Sequence, residues 1–255
     1  MEYRINRRTG DRIGTLGLGS SSIAEAGEAD GISTLRLAYE KGINYFDLAT
    51  AESVNFSTFG KALGDVRNKV FYQIHFGAVY GKGKSYGWTT NLSDVQRSVD
   101  WQLKALNTDY IDYGFIHCLD EASDWNAYQE NGVLDYLLEQ KKSGVVRHIG
   151  LSSHTPGLIE RVLDTGLVDM LMFSINPAYD YQHGEYANGS GSERTALYRR
   201  CEAEGIGISV MKPFSSGQLL DKKTSPFGTA LTEYQCIQYA LDRPGVLTVL
   251  PGVRG

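Results

Sequence analysis

The sequence predicts an α/β fold, and within that class a single-domain (β/α)8 TIM barrel opened by a short N-terminal β-hairpin. Three observations carry this reading. Eight β-rich runs alternate with helical patterns along the whole chain. Its 255 residues suit one large barrel core better than two small domains. Apolar residues at 42% and charged residues at 22% are ordinary for a globular protein and give no sign of a fibrous or disordered chain. An open doubly wound sheet shares these local statistics and stands as the alternative at this level.

The strand candidates are Thr15 to Gly19, Asn44 to Asp47, Val70 to His75, Tyr110 to His117, His148 to Leu151, Met170 to Ile175, Gly207 to Met211 and Leu247 to Leu250. Between them, Ser93 to Leu106 sets Val95, Val99, Leu103 and Leu106 on one helical face, with Ser93 and Gln96 spaced as a capping box. Asp30 to Lys41 places Ile32, Leu35 and Tyr39 on one face and meets Gly42, and Val133 to Lys142 meets Gly144; each glycine can adopt the left-handed conformation that closes a helix. Thr155-Pro156 reads as a cap followed by proline at the first helical position, opening a helix to about Asp164. Helices near Glu193 to Glu204 and Thr232 to Leu241 complete the alternation. Ahead of the first strand, Tyr3 to Asn6 and Arg12 to Gly14 flank a turn at Arg8 to Asp11, a hairpin placed to plug the barrel floor. Two long connections, Phe76 to Asn91 and Pro177 to Glu193, are rich in tyrosine and sit where barrel loops line an active-site mouth.

Several partners are excluded by composition. A net charge of -5 with interspersed signs offers no basic stripe for nucleic acid. The N-terminus carries no apolar stretch behind its charges, and no segment approaches the roughly 18 apolar residues of a membrane span, so the expected location is cytoplasmic. Cys118, Cys201 and Cys236 are widely spaced without a C-x-x-C pair, so no metal centre is expected and reduced, mostly buried thiols are.

Polar residues at the C-terminal ends of barrel strands converge on one pocket. Asp47, His75, His117 and Asn176 fall there. Each alone reads more readily as a satisfied core or capping residue than as a catalyst; three ionisable groups ending successive strands read as a site.

The same residues resemble a known family. "LGLGSSSI", "KGINYFDLATAE" through "FGKALGD", "RNKVFYQIHFG", "LNTDYIDYGFIHCLDE", "SGVVRHIGLSSHTP", "VDMLMFSINPAYD", "GIGISVMKPFSSGQLL" and "LTVLPGVRG" are together similar to the aldo-keto reductases. The likeness is greatest to the branch that often carries a C-terminal ferredoxin-like (4Fe-4S) extension. The resemblance implies a (β/α)8 barrel over an open sheet, NADP(H) as cofactor, and a tetrad of Asp, Tyr, Lys and His serving a carbonyl–alcohol oxidoreductase. Asp47 matches the Asp and His117 the His. Glu52 stands at the Tyr position and His75 at the Lys position.

Two changes of four alter the expected chemistry. A carboxylic acid at Glu52 donates a proton near neutral pH only if burial and Asp47 raise its pKa by several units. An imidazole titrates near neutral pH and suits alcohol oxidation as a base, so His75 or His117 is the expected proton-transfer residue, oriented by Asp47. For the cofactor, the resemblance implies Ser152 and Ser153 at the carboxamide, Ser20 after the first-strand glycines, and Asn176 at the close of the sixth strand. Met211 would lie at the nicotinamide face, followed by Lys212. Phe214, Ser215 and Gly217 would lie in the pyrophosphate loop, and Arg254 is the remaining charge for the 2'-phosphate. The expected substrate is a small carbonyl or alcohol, and a sugar or polyol suits the tyrosine-rich loops. A nucleotide-binding sensor or partner subunit without turnover, and a non-redox lyase or isomerase on the same barrel, are the alternative functions.

Overall fold

Residues 1–23, 25–49, 53–81 and 86–254 are described by the computed structural model of the chain. β1 (Tyr3–Ile5) and β2 (Arg12–Gly14) form the antiparallel N-terminal hairpin, after which β3 (Leu18–Gly19), α1 (Glu28–Glu40), β4 (Tyr45–Asp47) and α2 (Val54–Leu63) lead to β5 (Phe71–Phe76). A second hairpin, β6 (Ala78–Tyr80) with β7 (Tyr86–Trp88), precedes α3 (Leu92–Leu106), β8 (Ile111–Ile116), α4 (Ala122–Glu130), α5 (Val133–Ser143) and β9 (Val146–Ser152). The chain continues through α6 (Pro156–Leu163), β10 (Met170–Ser174), α7 (Pro177–Asp180), α8 (Gly191–Glu204), β11 (Gly207–Met211), α9 (Glu233–Leu241) and β12 (Val246–Val249).

Eight strands make one parallel sheet in the order β12-β11-β10-β9-β8-β5-β4-β3. The ring closes where Thr15 to Gly19 meets the last strand: Gly17 N–H donates to Val249 O at 2.9 Å, Val249 N–H to Thr15 O at 3.0 Å and Gly19 N–H to Pro251 O at 3.0 Å. This is the (β/α)8 barrel, with helices outside and one core between helices and strands that includes Phe46, Phe59, Ile74, Ile116 and Val210. Alternation along each strand turns every second residue to the barrel axis, where Tyr45, Tyr113, Phe115, Met170, Met172 and Met211 pack as a second core. The floor is plugged as the N-terminal pattern suggests: Tyr113 Oη donates to Asp11 Oδ2 at 2.5 Å, and Asn6 Nδ2 to Asp169 O at 3.0 Å. No helix among the described residues is long and apolar enough to cross a membrane.

Several local expectations need correction. α3 begins one residue early, because the Asn91 side chain accepts the Asp94 N–H at 3.1 Å and outcompetes Ser93, whose hydroxyl turns onto Asn91 Oδ1 instead. Thr155 sits at the cap of α6 in extended conformation, yet its side chain caps nothing; Pro156 at the first position carries that start. The connection after β5 is ordered by the β6–β7 hairpin, and the one after β10 opens with α7. Two helices, α2 and α4, lack a strong sequence signal. In α2 the β-branched, serine and glycine residues weaken intrinsic propensity, and burial of Phe56, Phe59 and Leu63 overrides it. Its Gly60 is required by packing, since a Cβ there would lie 2.8 Å from Ala105 O and 2.9 Å from Leu106 O at the end of α3.

Candidate active site

At the C-terminal mouth of the barrel, β4, β5 and β8 stand side by side, with Asp47 opposite Gln73 and His75 opposite Phe115. Gln73 and His75 are two residues apart and so share the inner face with Asp47. The Asp47 carboxylate gathers three donors on Oδ1: His75 Nε2 at 2.8 Å, Gln73 Nε2 at 3.0 Å and Ala49 N–H at 3.2 Å. Gln73 is itself held by Tyr45 Oη, which donates to its Oε1 at 2.6 Å. His75 Nδ1 meets His117 Nδ1 at 2.9 Å, and His117 Nε2 meets the Tyr86 hydroxyl. The result is a continuous line, Asp47–His75–His117–Tyr86, running from the barrel wall to its mouth.

Electrostatics follow from this enclosure. Burial, then the neighbouring His75 and His154 cations when protonated, hold His117 well below the usual imidazole range, so it is neutral near pH 7. Burial, reinforced by Cys118 and Asp47, pushes the Tyr86 phenol above its ordinary range, so it keeps its proton there.

The line ends in a cavity of about 560 Å³, within the size of small-molecule sites. Of the residues the sequence singled out, Ser20, Ser152, Met211 and Lys212 line it together with Asp47, His75 and His117. Phe214, Gly217 and Arg254 line it as well. Three others are turned to structural work. Ser153 is buried, donates to Asp120 Oδ1 at 3.3 Å and accepts Thr155 N–H at 3.1 Å. Asn176 caps α7 by accepting Tyr179 N–H at 2.9 Å and donates to Lys212 O at 2.8 Å, and buried Ser215 bonds Gln218. Glu52 lies outside the described residues.

Residues not singled out from sequence also line the cavity. Tyr86 arrives on β7, and its one sequence signal was membership of an aromatic loop following a strand. Cys118 and His154 belong to a second cluster: His154 Nδ1 donates to Asp120 Oδ2 at 3.0 Å, and the Lys212 ammonium donates to His154 Nε2 at 3.0 Å while lying 4.2 Å from the centre of the Tyr186 ring. Donor atoms of Cys118, Asp120 and His154 fall within 4.8 Å of one another, but both imidazole nitrogens are already bonded and a cation stands beside them. That arrangement is a hydrogen-bonded cluster rather than a metal cage.

Whether a dinucleotide suits the cavity can be judged from its polar atoms. Ser20 Oγ is buried in the wall with no hydrogen-bond partner among the described residues, a vacancy that a ligand polar group would fill. Ser215, Ser216 and Gly217 take successive positive φ angles of 51°, 56° and 89°; this tight turn is held by Ser215 N–H donating to Lys212 O and Gly217 N–H to Phe214 O, both at 3.0 Å, and Ser216 and Gly217 line the cavity. Orphaned hydroxyl, backbone turn and the exposed cation of Arg254 fit an elongated, phosphate-bearing ligand.

The profile of the Aldo/keto reductase family matches residues 13–233, most of the chain. The chain belongs to the aldo/keto reductase family. Among relatives of this aldo/keto reductase, "Probable aldo-keto reductase 1" of Glycine max is 27% identical over 208 residues, 80% of this chain and 56% of its own length. L-galactose dehydrogenase of Arabidopsis thaliana is 25% identical over 239 residues, covering 87% of this chain and 68% of that protein. This chain thus spans roughly half to two thirds of those two relatives. A solved aldo-keto reductase of Bacillus halodurans in its holo form superposes with TM-score 0.77 at 20% identity, covering 100% of this chain and 87% of that one, which shows the shared barrel.

Proposed function

We propose that this aldo/keto reductase is an NADP(H)-linked oxidoreductase interconverting a small carbonyl compound and its alcohol. The observation that carries the reading is one cavity lined both by Ser20, Ser216 and Gly217 and by the Asp47–His75–His117 line. Ser152 and Met211 would hold the nicotinamide, Ser20 and the Ser216–Gly217 turn the pyrophosphate, and Arg254 the 2'-phosphate. When bound, such a nucleotide supplies or accepts a hydride. The chain's own residues handle the proton. Asp47 fixes the His75 tautomer by accepting its Nε2–H, Gln73 and Ala49 hold that carboxylate in place, and His117 passes a proton between His75 and the cavity. Polar rim groups favour a hydroxylated substrate, a sugar or polyol, in keeping with the name of the galactose-oxidising relative. Its unpaired cysteines suit a reducing, cytoplasmic setting.

Titration with NADPH, followed by nucleotide fluorescence, and turnover assays with panels of carbonyls and alcohols test the reading. Saturable binding with turnover in either direction is the expected result. Binding without turnover would favour a nucleotide-binding sensor or partner subunit, and absence of binding would remove the cofactor assignment.

A further inference from the structure

Of the groups in the line, Asp47 is 4% exposed, His75 0%, His117 4% and Tyr86 43%. The two histidines that sequence reasoning favours are therefore covered, and the group with free surface at the mouth is a phenol. That phenol is placed with care. β7 pairs with β6 through Ala78 and Trp88, Val79 and Gly87, and Tyr80 and Tyr86; Trp88 Nε1 donates to His117 O at 2.9 Å, and Thr89 N–H donates to Gly77 O at 2.9 Å. The hairpin is tied at its base to the residue whose ring its tyrosine touches.

We propose that Tyr86 is the acid–base residue that meets the substrate oxygen, with His117, His75 and Asp47 behind it as its proton relay; the proposal rests on the carbonyl–alcohol reading above. Hydrogen-bond accounting sets the direction of every proton. An ionised Asp47 only accepts, so His75 donates from Nε2 and its Nδ1 is an acceptor. His117 must then donate from Nδ1, leaving Nε2 to accept the Tyr86 hydroxyl. In this neutral arrangement the phenol oxygen is open to accept a proton from an alcohol while passing its own to His117, the state for oxidation.

One added proton reverses the line. With His75 protonated on both nitrogens beside Asp47, Nδ1 donates to His117 Nδ1, His117 donates from Nε2 to the phenol oxygen, and the Tyr86 hydroxyl is free to donate into the cavity. Reduction then balances. A bound dihydronicotinamide would supply the hydride of the new C–H bond; the carbonyl π pair moves to oxygen, and that oxygen takes the Tyr86 proton. Tyr86 recovers a proton from His117 Nε2, His117 Nδ1 takes the proton of His75 Nδ1, and His75 is left neutral with its Nε2–H on Asp47. The net transfer is one hydride from the nucleotide and one proton from imidazolium. Oxidation runs through the same atoms backward.

The test compares Tyr86→Phe with the unaltered protein, measuring nucleotide affinity by fluorescence and kcat and KM with the best substrate of the panel, while far-UV circular dichroism verifies the fold. The substitution keeps the half-exposed ring and removes one oxygen. The expected outcome is a kcat about a hundredfold lower, with nucleotide Kd and KM changed by less than about threefold. A kcat within about threefold of the unaltered protein, or a loss confined to KM, overturns the role of Tyr86 and leaves the carbonyl–alcohol reading standing. An unaltered protein that turns over nothing in either direction overturns that reading, and the role of Tyr86 with it.

Discussion

Replacing His117 by alanine removes the ring that links His75 to the cavity, and its consequences separate into two magnitudes. The first is stability. His75 Nδ1 loses its partner at 2.9 Å in a site with no exposed surface, and an unsatisfied buried polar atom costs about 1–3 kcal/mol. The vacated space opens onto the cavity, so water can enter, and the lower end of that range applies. A loss of about 1 kcal/mol lowers Tm by roughly 2–4 °C in a chain of this size, and against a usual stability of about 5–15 kcal/mol it leaves nearly every molecule folded. The second magnitude is turnover. Loss of a general acid–base group lowers kcat by about a hundredfold or more, equivalent to about 2.7 kcal/mol of barrier. The folded fraction cannot account for such a fall, so the two effects are distinguishable. Steady-state kcat at saturating nucleotide, nucleotide Kd and a thermal melt measure them together. A folded, nucleotide-binding His117→Ala protein whose kcat stays within about threefold of the original would refute the assignment of His117 to the proton path.

Three further outcomes are expected. Arg254 is exposed and holds Glu25 at 3.3 Å, so Arg254→Ala should weaken NADPH by about threefold to tenfold and NADH less; equal losses for both nucleotides would show that another group reads the phosphate. His117 and His148 are both depressed, mainly by burial, so the unfolded chain takes up protons that the folded one refuses. Stability should be complete above about pH 6.5 and fall as pH drops below it, by up to about 1.4 kcal/mol per pH unit for the buried His117 until its folded pKa is reached and by less for the partly exposed His148. Urea midpoints near pH 7.5 and 5.5 check this, with a smaller difference expected in His117→Gln, and an unchanged midpoint would contradict it. Gly150→Ala would place a Cβ 2.2 Å from the Phe115 ring, itself buried and 5.4 Å between centroids from His75. It should cost about 1–3 kcal/mol in denaturant unfolding and lower activity as Phe115 is pushed toward the relay; a midpoint unchanged from the original would show that the ring moves freely.

The α/β alternation and the strand-end positions of Asp47 and His75 were readable from one dimension, because alternation, helix period and stop signals such as Gly42 and Gly144 act within a few residues of themselves, whereas the barrel over an open sheet followed from the family resemblance. Both glycines take positive φ, 94° and 85°, as their positions after helices require. The same locality explains the failures. α2 was invisible because its stability comes from contacts with α3 and the sheet rather than from its own residues. Asn91, not Ser93, capped α3 because the outcome depended on which side chain the preceding loop aimed at the helix end.

The sequence by itself determined the repeating α/β pattern, the family resemblance and ten of the 22 residues that line the cavity. Tertiary structure alone decided which of those residues keep free atoms: Ser153, Asn176 and Ser215 satisfy their polar groups internally, whereas Ser20 does not. It also brought Tyr86 onto His117, 31 residues away, and His117 onto His75, 42 residues away. Local propensity places a side chain on a face, but which distant group completes its hydrogen bonds is set by barrel closure and hairpin pairing, interactions that no short stretch of sequence contains.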